Sequence, residues 1–267
     1  MSNYSSIGFP VTSEEELRDL VASLIDVAAV VPAEHGTYLL YEDPSGAAFW
    51  IQVDQHNSIA GVNPHFNGRS HRRVGLQSDV ERPNSELDGA IYAWANPSSI
   101  DDLESGEYPF VFDLPDRSLL GDIVFPQIID VQLAAFAHEV SFFASEEEFY
   151  SHDSADGAKM AAESFIPSGL FLSDEAPAGT PPEAKAVFTG RILDVCENMN
   201  AFTGHSFISA KTNTFGGLID IVVDPILAPQ LPKAGGIVQG SFWLSGRLLD
   251  PLSHPGEPVQ KKRFGLF

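Results

Sequence analysis

The apolar positions of this chain fall mostly into short alternating runs, with one clear helical stretch near the start. Over Thr12–Val30, Leu17, Leu20, Val21, Leu24 and Ala28 recur at helical spacing and make one apolar face. Ser13 with Glu16, and Thr12 with Glu15, both fit a capping box. Glu14, Glu15 and Glu16 add negative charge where the helix dipole favours it, and Pro32 is expected to stop the helix. Ile7–Phe9 ahead of it reads as a short strand. Thr37–Tyr41 and Ala47–Val53 read as strands joined by the turn Asp43-Pro44-Ser45-Gly46. Ser58–Val62 follows, leading into a loop over Asn63–Gly68. Val74–Val80, Ala90–Trp94 and Pro109–Phe112 read as further short strands, for which antiparallel pairing is the simplest topology. Pro126–Ala144 carries two signals. Ile129, Leu133, Phe136 and Val140 suit a helix, while the density of Ile, Val and Phe suits a strand. No cap precedes it, so a long strand buried on both faces is expected. Ser145 with Glu148 then opens a short helix through Tyr150, and Ser151–Ser164 is polar and partly helical.

The last third alternates more regularly. Ala186–Glu197 is a strand in which Phe188 and Ile192 share one parity and Leu193 and Val195 the other, which a bulge near Gly190 or burial on both faces explains. Asn198–Gly204 breaks the run. Ser206–Thr214 alternates, Gly216-Gly217 is a hairpin signal, and Leu218–Val223 pairs back. Asp224–Gly236 carries three prolines and is a connection. Gly236–Leu249 resumes period two, with Val238, Phe242, Leu244 and Leu248 on one side. Gly240 and Gly246 share that side, where a corner or a close backbone approach needs room. Long strand, hairpin, linker and long strand together resemble an oligonucleotide/oligosaccharide-binding (OB) fold over roughly a quarter of the chain. That fold wants a fifth strand. Leu248–Phe267 is one source, and a bend in the last long run is another.

Composition divides the chain. The net charge is −22 over 267 residues. From Ala186 onward there are seven Lys/Arg and six Asp/Glu, leaving eight and 31 before it. The acidic first two-thirds repels phosphate backbones and anionic membranes and draws in basic partners, arguing against nucleic acid as a ligand. One cysteine, Cys196, excludes an internal disulfide and fits a reducing compartment; a small side chain in a strand is its expected role. No basic and apolar leader is seen at Met1–Pro10, and no apolar run approaches the ~20 residues of a membrane span, so a cytoplasmic location is expected. Asp174–Lys185 is Pro-rich and polar, and marks the boundary. The expected organisation is an acidic α+β domain (1–173), mainly antiparallel β with one clear helix, then a linker (174–185), a small OB-like β-barrel (186–250) and a basic tail (251–267).

Candidate chemistry is sparse. Dinucleotide, phosphate-loop and nucleophile-elbow motifs are absent. His138-Glu139 opens a zincin-like pair, but Phe142 stands where the second histidine must be. His56, His65 and His71, with Asp54 beside the first, are an alternative metal set if strands bring them together. His138 and Gln132, on a buried strand, must find partners. Trp50, Phe66 and Trp94 surround the Asn63–Gly68 loop in sequence, with Arg69, Arg72 and Arg73 just after. His65, Phe66, Arg69 and Trp94 thus outline a basic, aromatic-edged place for an anionic ligand. Core aromatics and surface ion pairs are the competing account. In the barrel, Phe207, Lys211, Trp243 and Arg247 offer a stacking, cationic face, against which stands a purely structural role in a nearly neutral domain. No cofactor is implied.

Two further resemblances concern the whole. The β-α-β-β-β order of the first 68 residues, with Asp43, Pro44 and Gly46 at an Asp-Pro-x-Gly turn, resembles one module of the glyoxalase-like (vicinal oxygen chelate) family. That family needs a second module and spaced His/Glu ligands, which do not follow Gly68. The phrases Gln132–Glu139, Ala162–Pro167 and Gly240–Arg247 resemble uncharacterised bacterial proteins of unknown function, which implies no activity. The leading expectation is a non-enzymatic binding or scaffolding protein. An acidic, immunity-like protein that captures a basic protein, and a metal-dependent enzyme at His56–His71, are alternatives. Basic tail and acidic body also allow self-docking or a homo-oligomer.

Overall fold

Ser13 caps the first helix as its spacing predicts. In the computed structural model, which describes residues 2–82, 86–152, 160–171, 177 and 179–252, α1 spans Glu14–Ile25. Ser13 Oγ accepts from the Glu16 backbone N–H, while the Glu16 carboxylate reaches back to Thr12, at 2.7 Å from its N–H. The helix stops at Ile25, well before Pro32. The next residues form β1 (Ala29–Ala33), an edge strand, where a proline costs no interior ladder bond. Ile7–Phe9 is not a strand either: Ser5–Ile7 is one turn of 3-10 helix.

β1 opens an antiparallel sheet with β2 (Gly36–Glu42), β3 (Ala47–Asp54) and β4 (Ile59–Phe66), in that order. The β2–β3 turn forms as expected: Asp43 Oδ1 accepts from the Ser45 N–H, and Gly46 takes φ +92°. Asn63–Phe66, expected as loop, completes β4. Pro64 fits there because β4 is the sheet's other edge. The order is thus helix then four strands, not the β-α-β-β-β of a glyoxalase-like module.

Among the described residues the second sheet has nine strands and closes on itself twice. Its strands are β5 (Arg72–Val80), β6 (Ala90–Ala95), β7 (Pro109–Asp113), β8 (Gln127–Phe143), β9 (Ser164–Ile166), β10 (Lys185–Met199), β11 (Ser206–Thr214), β12 (Gly217–Val223) and β13 (Ile237–Leu248). α2 (Glu146–Ser151), capped by Ser145, follows β8. One closed circuit runs β8–β5–β6–β7–β13 and back to β8. The other runs β8–β12–β11–β10–β13 and back to β8. The ladders are antiparallel except β12–β8 and β7–β13. One continuous apolar core serves both circuits, from Val74 and Phe112 to Phe188, Ile221 and Phe242.

Pro126–Ala144 is therefore a strand, and both its faces are buried over Val131–Ala137. Leu133 and Ala135 join the main core. Ala134 and Phe136 join a second core with Phe49, Ile51, Phe9 and Leu24, which fastens the first sheet and α1 to the second sheet. The strand that closes the β10–β13 circuit is β8, which lies before 174–185 in the chain, so hydrogen bonding crosses that stretch. Residues 172–176 and 178 of that region, and 253–267 of the basic tail, lie outside the described residues. The expected bulge in β10 falls between Ile192 and Asp194 against β11. No helix among the described residues is long and apolar enough to cross a membrane.

Gly246 shows why β13 carries glycine on its apolar side. A Cβ there would sit 2.2 Å from Cδ2 of Phe112. Both belong to a closed core that cannot spread. Gly246→Ala is expected to destabilise by about 1–3 kcal/mol, the range for overpacking, read as a lowered urea midpoint with an unchanged slope.

Candidate functional site

The face of the first sheet that carries Tyr38, Trp50 and His65 turns toward β7 and β13. A cleft of about 120 Å³ lies there, lined by Glu42, Trp50, His65, Asn67, Pro115, Asp116, Gly246 and Arg247. Trp50 is held edge-on by Tyr38, their ring centroids 5.5 Å apart. Asn67 donates to Glu42 at 3.2 Å. Arg247 is exposed and forms no ion pair or hydrogen bond among the described residues. Asp116 presents a buried Oδ1 with no hydrogen-bond partner. Burial raises the Asp116 pKa, and the charges of Arg247 and Arg117 work against that rise.

Behind the cleft runs a buried polar chain. Asp220 Oδ2 accepts from the Ser70 N–H at 2.8 Å and from Gln132 Nε2 at 3.0 Å. Gly68 leaves room for this carboxylate, since a Cβ there would lie 2.0 Å from Asp220 Oδ2. With its nitrogen committed to a carboxylate, Gln132 offers Oε1 to His65 Nε2 at 3.1 Å. That oxygen only accepts, so Nε2 carries the proton and Nδ1 accepts from the Ser245 hydroxyl at 2.8 Å. His65 is a neutral imidazole. Burial first, and the Arg247 charge second, push its pKa down to about 3. The succession of carboxylate, amide, imidazole and hydroxyl imitates a hydrolase triad with an amide inserted. Ser245 is fully buried, however, and is not among the cleft's lining residues. As it stands, the chain ties β4, β8, β12 and β13 together.

A larger open groove, about 690 Å³, lies between the β1–β2 turn and the ends of β5 and β6. Glu34, Asp79, Glu81, Glu86, Asp88 and Asp122 line it. Its two arginines are already engaged, Arg117 with Asp79 and Arg82 with Asp113. His35 stands 3.8 Å from Glu86. Beneath the groove Trp243 Nε1 donates to Asp113 Oδ2 at 2.6 Å, and Asn63 donates to Asp88 at 3.1 Å. Burial raises the pKa of both carboxyls; Arg82 opposes the rise at Asp113, and the Asp113 charge adds to it at Asp88.

The residues singled out in the sequence are scattered by this fold. His65, Trp50 and Arg247 meet at the cleft. Phe66 and Phe207 meet each other, edge to face at 5.9 Å, inside the second core. Trp243 is committed to Asp113 and Phe136, at 4.9 Å between ring centroids. With Phe207 buried and Trp243 engaged, Phe207, Lys211, Trp243 and Arg247 present no common stacking face. Trp94 is half-buried on β6 and donates to Gln77 at 2.6 Å. Arg69 and Arg73 are exposed, whereas Arg72 is 3 % exposed. The three histidines of the metal alternative do not converge. His56 sits in the exposed β3–β4 turn, held by Asp54 at 2.8 Å from its N–H; His65 is internal and His71 exposed. No group of three His, Cys, Asp or Glu among the described residues is placed to hold an ion. His138 and Gln132 have partners as expected, His138 with Asn3 at 2.8 Å. Cys196 lies in a strand but is exposed.

Sequence reasoning missed Glu42, Asp116, Asp220 and Ser245. Only Asp43-Pro44 beside Glu42 and Pro115 beside Asp116 hint at structured turns there, and no spacing links these residues to His65. Comparison with family models, with curated proteins and with solved structures finds no match.

Proposed function

We propose that the protein is a non-enzymatic binding protein that captures a basic segment of another protein in the cytoplasm. The acidic groove carries this reading: among the described residues six carboxylates face it, and the two arginines there are bound to carboxylates already. Such a surface gathers cations over a distance and gives a basic partner a fast, salt-sensitive association. It repels phosphate backbones. The exposed single cysteine fits a reducing compartment. The five-strand circuit of β8 and β10–β13 reads as an OB-like scaffold, with β8 supplied from earlier in the chain.

The test is calorimetry of the full chain with a lysine- and arginine-rich peptide. Changing Glu34, Glu81 and Glu86 together to lysine is expected to weaken binding at least ten-fold. The same change at Asp101, Asp102 and Glu104, exposed on another loop, is expected to matter far less. Equal losses in both triple variants would reduce the interaction to net charge and remove the groove from it.

The outer edge of β1 favours a second reading. Among the described residues it pairs with β2 on one side only, and Val30 on it is 67 % exposed. Two copies could add antiparallel through β1, extending the sheet. Light scattering at the highest soluble concentration decides this: a dimer reverted by Val30→Lys supports it, and a monomer discards it.

A further inference from the structure

We infer that the cleft between β4 and β13 binds a small zwitterion of the α-amino-acid class, with the ligand carboxylate on Arg247 and its ammonium group between Asp116 and Glu42. This site is separate from the acidic groove and independent of its role.

Opposite charges line one small space without meeting. Arg247 and Asp116 feel each other's field, yet no ion pair closes between them. The Arg247 side chain has no other partner among the described residues, in a chain where carboxylates outnumber Lys and Arg by more than two to one. The half-buried Asp116 lines the same space, and its buried Oδ1 finds no donor among the described residues. A planar guanidinium matches a carboxylate in a paired geometry. An ammonium group offers its hydrogens to Asp116 and Glu42, and Trp50 gives it an aromatic wall. A lone anion would face two carboxylates, and a lone cation would face Arg247. Only a ligand carrying both charges satisfies the whole set.

Size narrows the class further. The cleft volume of about 120 Å³ equals roughly four waters of liquid, which suits glycine or alanine. His65 forms part of the wall as a neutral group whose two nitrogens are already occupied. It adds no charge that would upset the balance.

Ligand-observed NMR on the full chain tests this with glycine, alanine, acetate and methylammonium. Saturable binding of glycine and alanine is expected, with acetate and methylammonium each at least ten-fold weaker. Arg247→Ala and Asp116→Asn are each expected to weaken glycine at least ten-fold. Arg247 is exposed, so its variant keeps the fold even if the Asp116 variant does not. Acetate binding as tightly as glycine would make this an anion site and overturn the inference. So would glycine binding unchanged by Arg247→Ala, or no saturable binding of glycine at all.

Discussion

Replacing Arg72 by alanine is expected to destabilise the fold by about 3–5 kcal/mol, the range for deleting a large buried side chain. Arg72 leaves β5 and is 3 % exposed. Its Nε donates to the Gly216 carbonyl at 3.1 Å and its Nη2 to Tyr108 Oη at 2.9 Å. Tyr108 in turn donates to the Phe215 carbonyl at 2.7 Å. The guanidinium carbon lies 5.7 Å from the Phe110 ring centroid and 5.8 Å from that of Phe165. A cation is thus held by carbonyls, a phenol and π faces, with no carboxylate in the cage and with Nη1 unpartnered. It clamps the β11–β12 turn to β5 and β7, across both closed circuits. Alanine removes the volume, takes the donor from Tyr108 Oη and leaves Asn96 Nδ2, at 3.3 Å, as the remaining side-chain donor to the Gly216 carbonyl. Methionine keeps most of the volume and discards the charge, so Arg72→Met is expected to lose only about 1–3 kcal/mol. Urea unfolding of both variants checks this. An alanine variant within 1 kcal/mol of the parent, a threshold set by the typical cost of one lost hydrogen bond, would show that the clamp carries no weight.

The second large effect appears in acid. The unfolded His65 imidazole takes its proton near 6.5 and the folded one near 3. Between those values the unfolded state holds more protons, so stability is present above the upper value and is lost as pH falls through the window. One group contributes about 1.4 kcal/mol per pH unit there. Asp88, Asp113 and Asp116 act in the opposite sense. Burial raises their pKa values, so in their windows the folded state binds protons more readily and stability rises as pH falls. A single curve mixes the two. His65→Gln separates them, since glutamine can still donate toward Gln132 and accept from Ser245 but does not titrate. Between pH 6.5 and pH 4.5, the parent is expected to lose about 2 kcal/mol more than the variant. Parallel curves would mean that the His65 pocket opens to solvent before it protonates.

What the sequence made legible is what local physics decides. Ser13 and Ser145 announced both helices because a cap is settled within four residues. Asp43–Gly46 and Gly216-Gly217 announced their hairpins because a turn needs a particular backbone there. The double burial of β8 was readable from its unbroken apolar run, as was the crowding at Gly246. The helix ends short of Pro32 although Val27–Val31 is apolar enough to continue either pattern, and edge position rather than periodicity makes it a strand. The site was mostly illegible. Trp50, Phe66 and Trp94 are set around one loop in sequence, but pleating sends Phe66 into a core while Trp50 faces the cleft. His65 and Ser245 are 180 residues apart, and nothing local connects them. The polar, Pro-rich composition of 174–185 reports on solvation and is blind to which strands share a ladder across it.

That sharing bears on how the protein can change over time. β8 and β13 stand in both circuits around one shared interior, and each circuit borrows the same two strands to stand up. Neither half can be copied, lost or traded as a cassette while those strands stay with the other. The gene is therefore expected to vary by ornamenting its loops, at the groove and around the cleft, rather than by shuffling its halves.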